Sequence, residues 1–238
     1  MFRVSIAAAC AVALAALATA GPALAVTPQT WVSAAGSDSN SCTRDRPCRT
    51  FNRAQAETAR HGTINVLDSA DYGPLSISFS MNIVAVGGRV YVGPNSIGLN
   101  TESTHDVVML DGLMLSRSGP DNGISPPIAA ISAATVGKLI VRNCVISGFK
   151  DPRGGAIALN PNTSGIHLYV SGCYLYDNNV GIQSDGTNNA IYVSNSTIID
   201  NATGFNVRGH NAPIISLGNN AVGGNRVDGA PSSTIPLR

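Results

Sequence analysis

Charge is scarce in this chain. Only 12% of its 238 residues are Asp, Glu, Lys or Arg, and 15 bases nearly balance 14 acids. A nucleic-acid binder needs a basic surface, so that class of partner is not expected. Aromatic residues are few (5%, with one Trp), and the five cysteines are far too sparse for a disulfide-stapled miniprotein. One apolar run exists, Ile6–Ala20, and no later stretch is long enough to span a bilayer. That run follows Arg3 and precedes the small-x-small triplet Ala23-Leu24-Ala25. Residues 1–25 therefore read as a signal peptide, the alternative being a membrane anchor shorter than a usual span. Cleavage leaves residues 26–238 with 14 basic and 14 acidic side chains, because Arg3 is the only charged residue before it. Export predicts a secreted or periplasmic protein without a membrane span, and a monomer is expected.

What the chain does have is repetition. VRNCVISGF from Val141, VSGCYLYDN from Val170 and VSNSTIIDN from Val193 align, with LDGLMLSRS from Leu110 and LGNNAVGGN from Leu217 flanking them. The alignment puts Leu113, Cys144, Cys173, Ser196 and Asn220 in one column, at steps of 31, 29, 23 and 24 residues. A drifting period with short β-branched strands is the mark of a solenoid. A leucine-rich repeat is the rival, but there is no fixed leucine frame and little helix per repeat. About seven coils are expected from the repeat length. Residues 26–62 read as an extended start, a polar loop and a capping helix Phe51–Arg60 with Thr50 as N-cap, ended by His61-Gly62. Residues 63–238 read as the solenoid.

Cys42 and Cys48 lie six apart in the polar loop, which in an exported protein reads as a disulfide; a metal pair would lack further ligands nearby. Cys144 and Cys173 fall at inward positions one coil apart, where parallel Cβ vectors suit a disulfide poorly, so two buried thiols are expected, the alternative being a bridge formed in an oxidising compartment. Alternation points Leu139, Val141, Leu168, Val170, Ile191, Val193, Ile215 and Leu217 inward, with Ile146, Leu175, Ile198 and Val222 one strand later. Phe149, Asn178, Asn201 and Asn225 share a corner and read as a hydrogen-bonding ladder. Asn162, Asn195 and Asn201 also begin N-x-[ST] triplets.

The opening WVSAAGSDSNSCTRDRPCRTFNRAQ, followed by TINVLDSADYGPLSI, resembles the start of the pectate-lyase-like family of right-handed parallel β-helices. The family pattern YVSxxGxDxNxGTxxxPFxTIxxA aligns with Trp31, Gly36, Asp38, Asn40, Thr43, Pro47, Thr50 and Ala54. Cys42 replaces its Gly, Cys48 its Phe and Phe51 its Ile. The resemblance implies an all-β right-handed parallel β-helix with a short N-terminal capping helix, and a polysaccharide laid along an outward strand face.

That face carries the candidate binding residues. Met109, Ile140, Tyr169, Tyr192 and Ser216 form one outward column; Asp111, Arg142, Ser171, Ser194 and Gly218 form the next; Lys138 and His167 lie on the other side. Lys138, Arg142, His167, Tyr169 and Tyr192 offer aromatic rings to sugars and cations to carboxylates. Some members of the resembled family cleave uronic-acid chains by β-elimination with a Lys or Arg base, often with Ca²⁺. Lys138 or Arg142 is the candidate base here, unless Arg142 pairs with Asp111 and Lys138 is a solvated charge. No acidic Ca²⁺ cluster is apparent on this face, and no cofactor or metal is expected unless the protein is a lyase. Asp177 and Asp200, 23 residues apart at one corner, read either as a carboxylate pair for glycoside hydrolysis or as turn residues. The Asn160, Asp185 and Arg208 column and the extra turn Lys150–Arg153 complete the candidates. The stretch from Arg117 to Pro127 reads as a longer loop. Binding of a polysaccharide without catalysis is the first reading. A small lyase, epimerase or hydrolase acting on uronic-acid glycans is the second.

Overall fold

In the computed structural model, which describes residues 26–117 and 127–236, the strands form three sheets in which all pairing is parallel. The signal-peptide reading and most of the Arg117–Pro127 loop lie outside the described residues. The first sheet runs Thr27–Val32, Thr58–Val66, Met81–Ala85, Val107–Asp111, Lys138–Arg142, His167–Ser171, Ala190–Ser194, Ile214–Ser216 and Ser233–Thr234, in both space and sequence. The second holds Val90–Gly93, Leu113–Ser116, Val145–Ser147, Tyr174–Tyr176, Thr197–Ile199 and Ala221–Gly223. The third holds Leu75–Ile77, Ile97–Asn100, Ile131–Thr135, Ile157–Leu159, Val180–Ser184 and Thr203–Val207. Each sheet takes one strand per winding. This is the parallel β-helix that the resemblance implied, with one short helix among the described residues, Phe51–Glu57, between the first two strands of the first sheet.

Register makes the core. Val108, Leu139, Leu168, Ile191 and Ile214 follow one another up the first sheet, and each is buried. Leu115, Ile146, Leu175 and Ile198 do the same in the second, as do Ile97, Ile131, Ile157 and Ile182 in the third. Each coil alone would expose these side chains, and stacking removes them from water at roughly 25 cal/mol per Å² of apolar area. The strand Ile97–Asn100 (IGLN) carries no strong strand signal in its sequence. Its conformation comes from neighbours on both sides, Leu75–Ile77 and Ile131–Thr135.

Two expectations need correction. Ile215 and Leu217 are not the inward residues of their strand. Tyr192 pairs with Ile215 and Val193 with Ser216, so Ile214 and Ser216 are buried. The step is 23 residues here, but 24 on the next strand, where Ile198 pairs with Val222. The extra residue falls in the corner, where Gly218 takes a left-handed φ of 82°. An alignment of sequence without a gap slips by one there, and a slip of one swaps the faces of a strand. The helix is also shorter than expected, ending at Glu57. Thr58 already has extended backbone, and its hydroxyl donates to Ala54 O and meets the Thr30 hydroxyl at 2.8 Å. Pairing with Thr27–Val32 converts residues 58–62 into strand, so His61 and Gly62 lie inside it.

The N-terminal lid is held by polar contacts. Thr50 caps the helix by accepting from Arg53 N, while Asp38 accepts from Arg49 N, Thr50 N and the Thr50 hydroxyl. Cys42 and Cys48 are joined as a disulfide with Cα atoms 4.7 Å apart. Gly36 lies so close to this bridge that a Cβ there would meet Cys48 O at 2.2 Å. Phe51 and Ala54 are buried, with the Phe51 ring 5.2 Å from that of Tyr72.

Asn side chains buried at the corner between the second and third sheets find their partners from coil to coil. Asn178 Nδ2 donates to Asn201 Oδ1 at 3.1 Å, and Asn201 Nδ2 donates to Asn225 Oδ1 at 2.9 Å. The same amides also donate to backbone oxygens of Ile146, Tyr176, Leu175 and Ile199. Phe149 completes the column by donating its N–H to Asn178 Oδ1. Asn201 is therefore closed to glycosylation in the folded protein. Cys144 and Cys173 are both free and buried, as expected. Asp106, also buried, accepts from the Ser80 hydroxyl at 2.6 Å, from Ser80 N and Ser103 N, and from Arg60 Nη1 at 2.6 Å. Burial pushes its carboxyl upward, but these donors outweigh that and hold it below its ordinary 3.8. Asp68 is lowered in the same way: burial opposes, and the Tyr72 hydroxyl, Ala34 N–H and Ser33 hydroxyl prevail.

Three outcomes are expected. Asn201→Ala removes the acceptor of the buried Asn178 N–H and a donor to the Leu175 and Ile199 carbonyls, and should cost about 2–3 kcal/mol in urea unfolding. A thiol reagent should label Cys144 and Cys173 only after denaturation. Carboxyls lowered on folding contribute stability that is full above their unfolded pKa and is lost as pH falls. The melting temperature should therefore drop below about pH 4, and Asp106→Asn should reduce that dependence.

Candidate functional site

The outer face of the first sheet is built by strand alternation. Thr63, Asn82, Met109, Ile140, Tyr169, Tyr192 and Ile215 stand in one register column, with Ile215 taking the place expected for Ser216. Asp111, Arg142, Ser171 and Ser194 stand in the next column. Lys138 and His167 are paired neighbours, followed by Ala190. The fold therefore brings Lys138, His167, Tyr169 and Tyr192 together.

Parallel pairing dictates how the tyrosines sit. Identical side chains on adjacent coils stack, and the Tyr169 and Tyr192 rings lie 5.1 Å apart at 10°. The Lys138 ammonium is 5.8 Å from the centroid of the Tyr169 ring. Tyr169 is thus committed to Tyr192 and Lys138, and the stack offers ring edges and hydroxyls rather than open ring faces. His105, in the turn before Val107–Asp111, joins Lys138, His167 and Tyr169 around a shallow hollow of about 470 Å³. Sequence reading missed His105, because a turn residue outside the strand alternation carries no periodic signal.

Arg142 is committed elsewhere. Its guanidinium pairs with Asp111 at 2.8 Å, one coil away, and Asn143 Nδ2 donates to the same carboxylate at 2.9 Å. Four residues along one strand also separate it from Lys138 by about 13 Å, so the two cations are not neighbours. Lys138 and His167 are exposed. The desolvated pocket that a proton-abstracting amine requires is not built around Lys138.

Asp177 and Asp200 lie at the corner between the second and third sheets, beside the Asn ladder. Both are exposed and both have left-handed φ, 56° and 54°. Asp177 pairs with Lys150. Asp200 has no hydrogen bond or ion pair among the described residues. Short polar side chains suit such left-handed corners, and the apolar enclosure that sets one carboxyl apart as an acid is absent from this corner. No group of three or more His, Cys, Asp and Glu side chains among the described residues is placed to hold a metal ion. Asp185 and Arg208 do pair, at 3.7 Å.

No family model and no curated protein sequence matches the chain. Among solved structures, a rhamnogalacturonan lyase matches with a TM-score of 0.46 and 14% identity, over 76% of this chain and 62% of that one. This chain thus spans less than two thirds of that protein. The architecture itself rests on the strand register given above. No helix among the described residues is long and apolar enough to cross a membrane.

Tyr192→Ala removes half of an exterior stack. It should cost about 1 kcal/mol, read as a small shift in urea midpoint, whereas Ile191→Ala on the buried side of the same strand should cost about 2–5 kcal/mol.

Proposed function

We propose that this is an exported β-helix protein that holds an acidic polysaccharide along the outer face of its first sheet and performs no chemistry on it. The observation that carries this reading is the Lys138–Tyr169–Tyr192 line: an ammonium seated on a stacked pair of phenols, running along the helix axis. His167 and His105 flank it. Phenol hydroxyls repeat at the coil spacing of about 4.8 Å and hydrogen-bond to sugar hydroxyls, while Lys138 attracts carboxylates. Such an exposed cation attracts acidic chains in a salt-dependent way. The commitment of Arg142 to Asp111 and the exposure of Lys138 support binding over proton abstraction. Secretion or a periplasmic home, and a monomeric state, belong to the same proposal.

Affinity electrophoresis through gels cast with uronic-acid polymers, with and without Ca²⁺, tests it. The wild-type protein should be retarded in an acidic polymer, less so at high salt. Lys138→Ala combined with Tyr169→Ala should migrate as in a blank gel while melting within a few degrees of wild type. Unretarded wild-type migration in every polymer defeats the binding proposal. The appearance of absorbance from unsaturated uronate ends, or of new reducing ends, defeats the non-catalytic part.

A further inference from the structure

The third sheet has its own outward column, Gly98, Ser132, Ala158, Gln183 and Asn206. Ala158 is the small member between two polar ones, and the space above it opens into a groove of about 400 Å³. That lies within the range of small-ligand pockets, about 300–1,000 Å³. One wall is the extra turn Lys150–Arg153. Asp151 pins Arg153 there, accepting from its backbone N, Nε and Nη2 at 2.8–2.9 Å. The turn is packed hard against its neighbours, since a Cβ on Gly154 would meet Ile128 O at 2.2 Å. The opposite wall carries Asp185 and Arg208. Gln183, only 3% exposed, ties the floor to the first wall by donating to Arg153 O.

The groove offers both kinds of hydrogen-bonding group. Arg208 has only the long Asp185 contact, so its terminal nitrogens are unpartnered among the described residues. Asn160 Oδ1 accepts from Ser132, and its Nδ2 has no partner among them. Asp185 supplies an acceptor that is largely buried. The two arginines are balanced by Asp151 and Asp185. An anion would satisfy the donors but face the Asp185 carboxylate; a cation would face two guanidiniums. Hydroxyls both donate and accept, and the rest of the lining is the Asn162 amide and the apolar Ile128 (43% exposed), Leu159 and Pro161. A pyranose ring has this combination of hydroxyl rim and C–H face. We infer that the groove on the outer face of the third sheet binds a neutral pyranose, independently of the line on the first sheet.

The test is saturation-transfer NMR of the full chain with a panel of neutral methyl pyranosides and one methyl uronide. At least one neutral glycoside should show transfer. Arg208→Ala, an exposed change, should weaken it about tenfold, the worth of a hydrogen bond from a charged group. Asn160→Ala should weaken it as well, and Ala158→Gln should abolish it by filling the hollow. Lys138→Ala and Tyr169→Ala should leave it unchanged, so failure here is distinct from failure on the first sheet. Circular dichroism checks folding, and if Ala158→Gln does not fold, the other two groove variants decide. Absence of transfer from every neutral glycoside overturns the inference. So does preference for the uronide, or transfer that survives Arg208→Ala and Asn160→Ala.

Discussion

Parallel strands in register, one coil above another, are the constraint from which the rest of this molecule follows. A residue's nearest neighbours are those one winding earlier and one later, whatever their separation in sequence. Apolar residues then line a continuous core that no single coil could bury. Polar residues at inward positions must find partners along the same axis, because water is excluded. The Asn178–Asn201–Asn225 ladder meets that demand, Asn178 and Asn201 each bonding to the coil before and the coil after. Where a coil has no equivalent residue, the column changes chemistry: Phe149 occupies the ladder position and is served through its backbone N–H.

The same geometry shapes the outer surface. Stacking turns an isolated Tyr into half of a pair and commits Arg142 to the carboxylate beneath it. A cation or carboxylate on such a face is free for a ligand only if the coils above and below offer it no partner. Lys138 keeps its exposure and gains a ring face; Arg142 does not stay free. On the third sheet one small residue, Ala158, interrupts a polar column and leaves room above it, and an inserted turn supplies a wall. Two places on the outer surface thereby carry charged groups beside room for a ligand.

The repeating core is legible in the amino-acid sequence because periodicity is a one-dimensional property. Inward strand residues, the cysteine column, the Asn ladder, the Thr50 cap and the Cys42–Cys48 bridge all follow from spacing and residue type. Sequence and structure part where spacing changes without a compositional mark. The extra residue at Gly218 exchanges the faces of Ile214–Ser216, and pairing with Thr27–Val32 overrides helical preference after Glu57. Ile97–Asn100 is a strand only because strands flank it on both sides.

The sequence by itself determined that the chain winds into stacked coils, since alternation and a period of two to three dozen residues admit little else. Tertiary structure alone decided which outward groups remain available. Pairing across coils is a contact between residues far apart in the chain, and its outcome depends on distances of a few ångströms that spacing does not specify. That is why Tyr169 and Tyr192 face one another rather than solvent, why His105 joins Lys138, and why a hollow opens over Ala158.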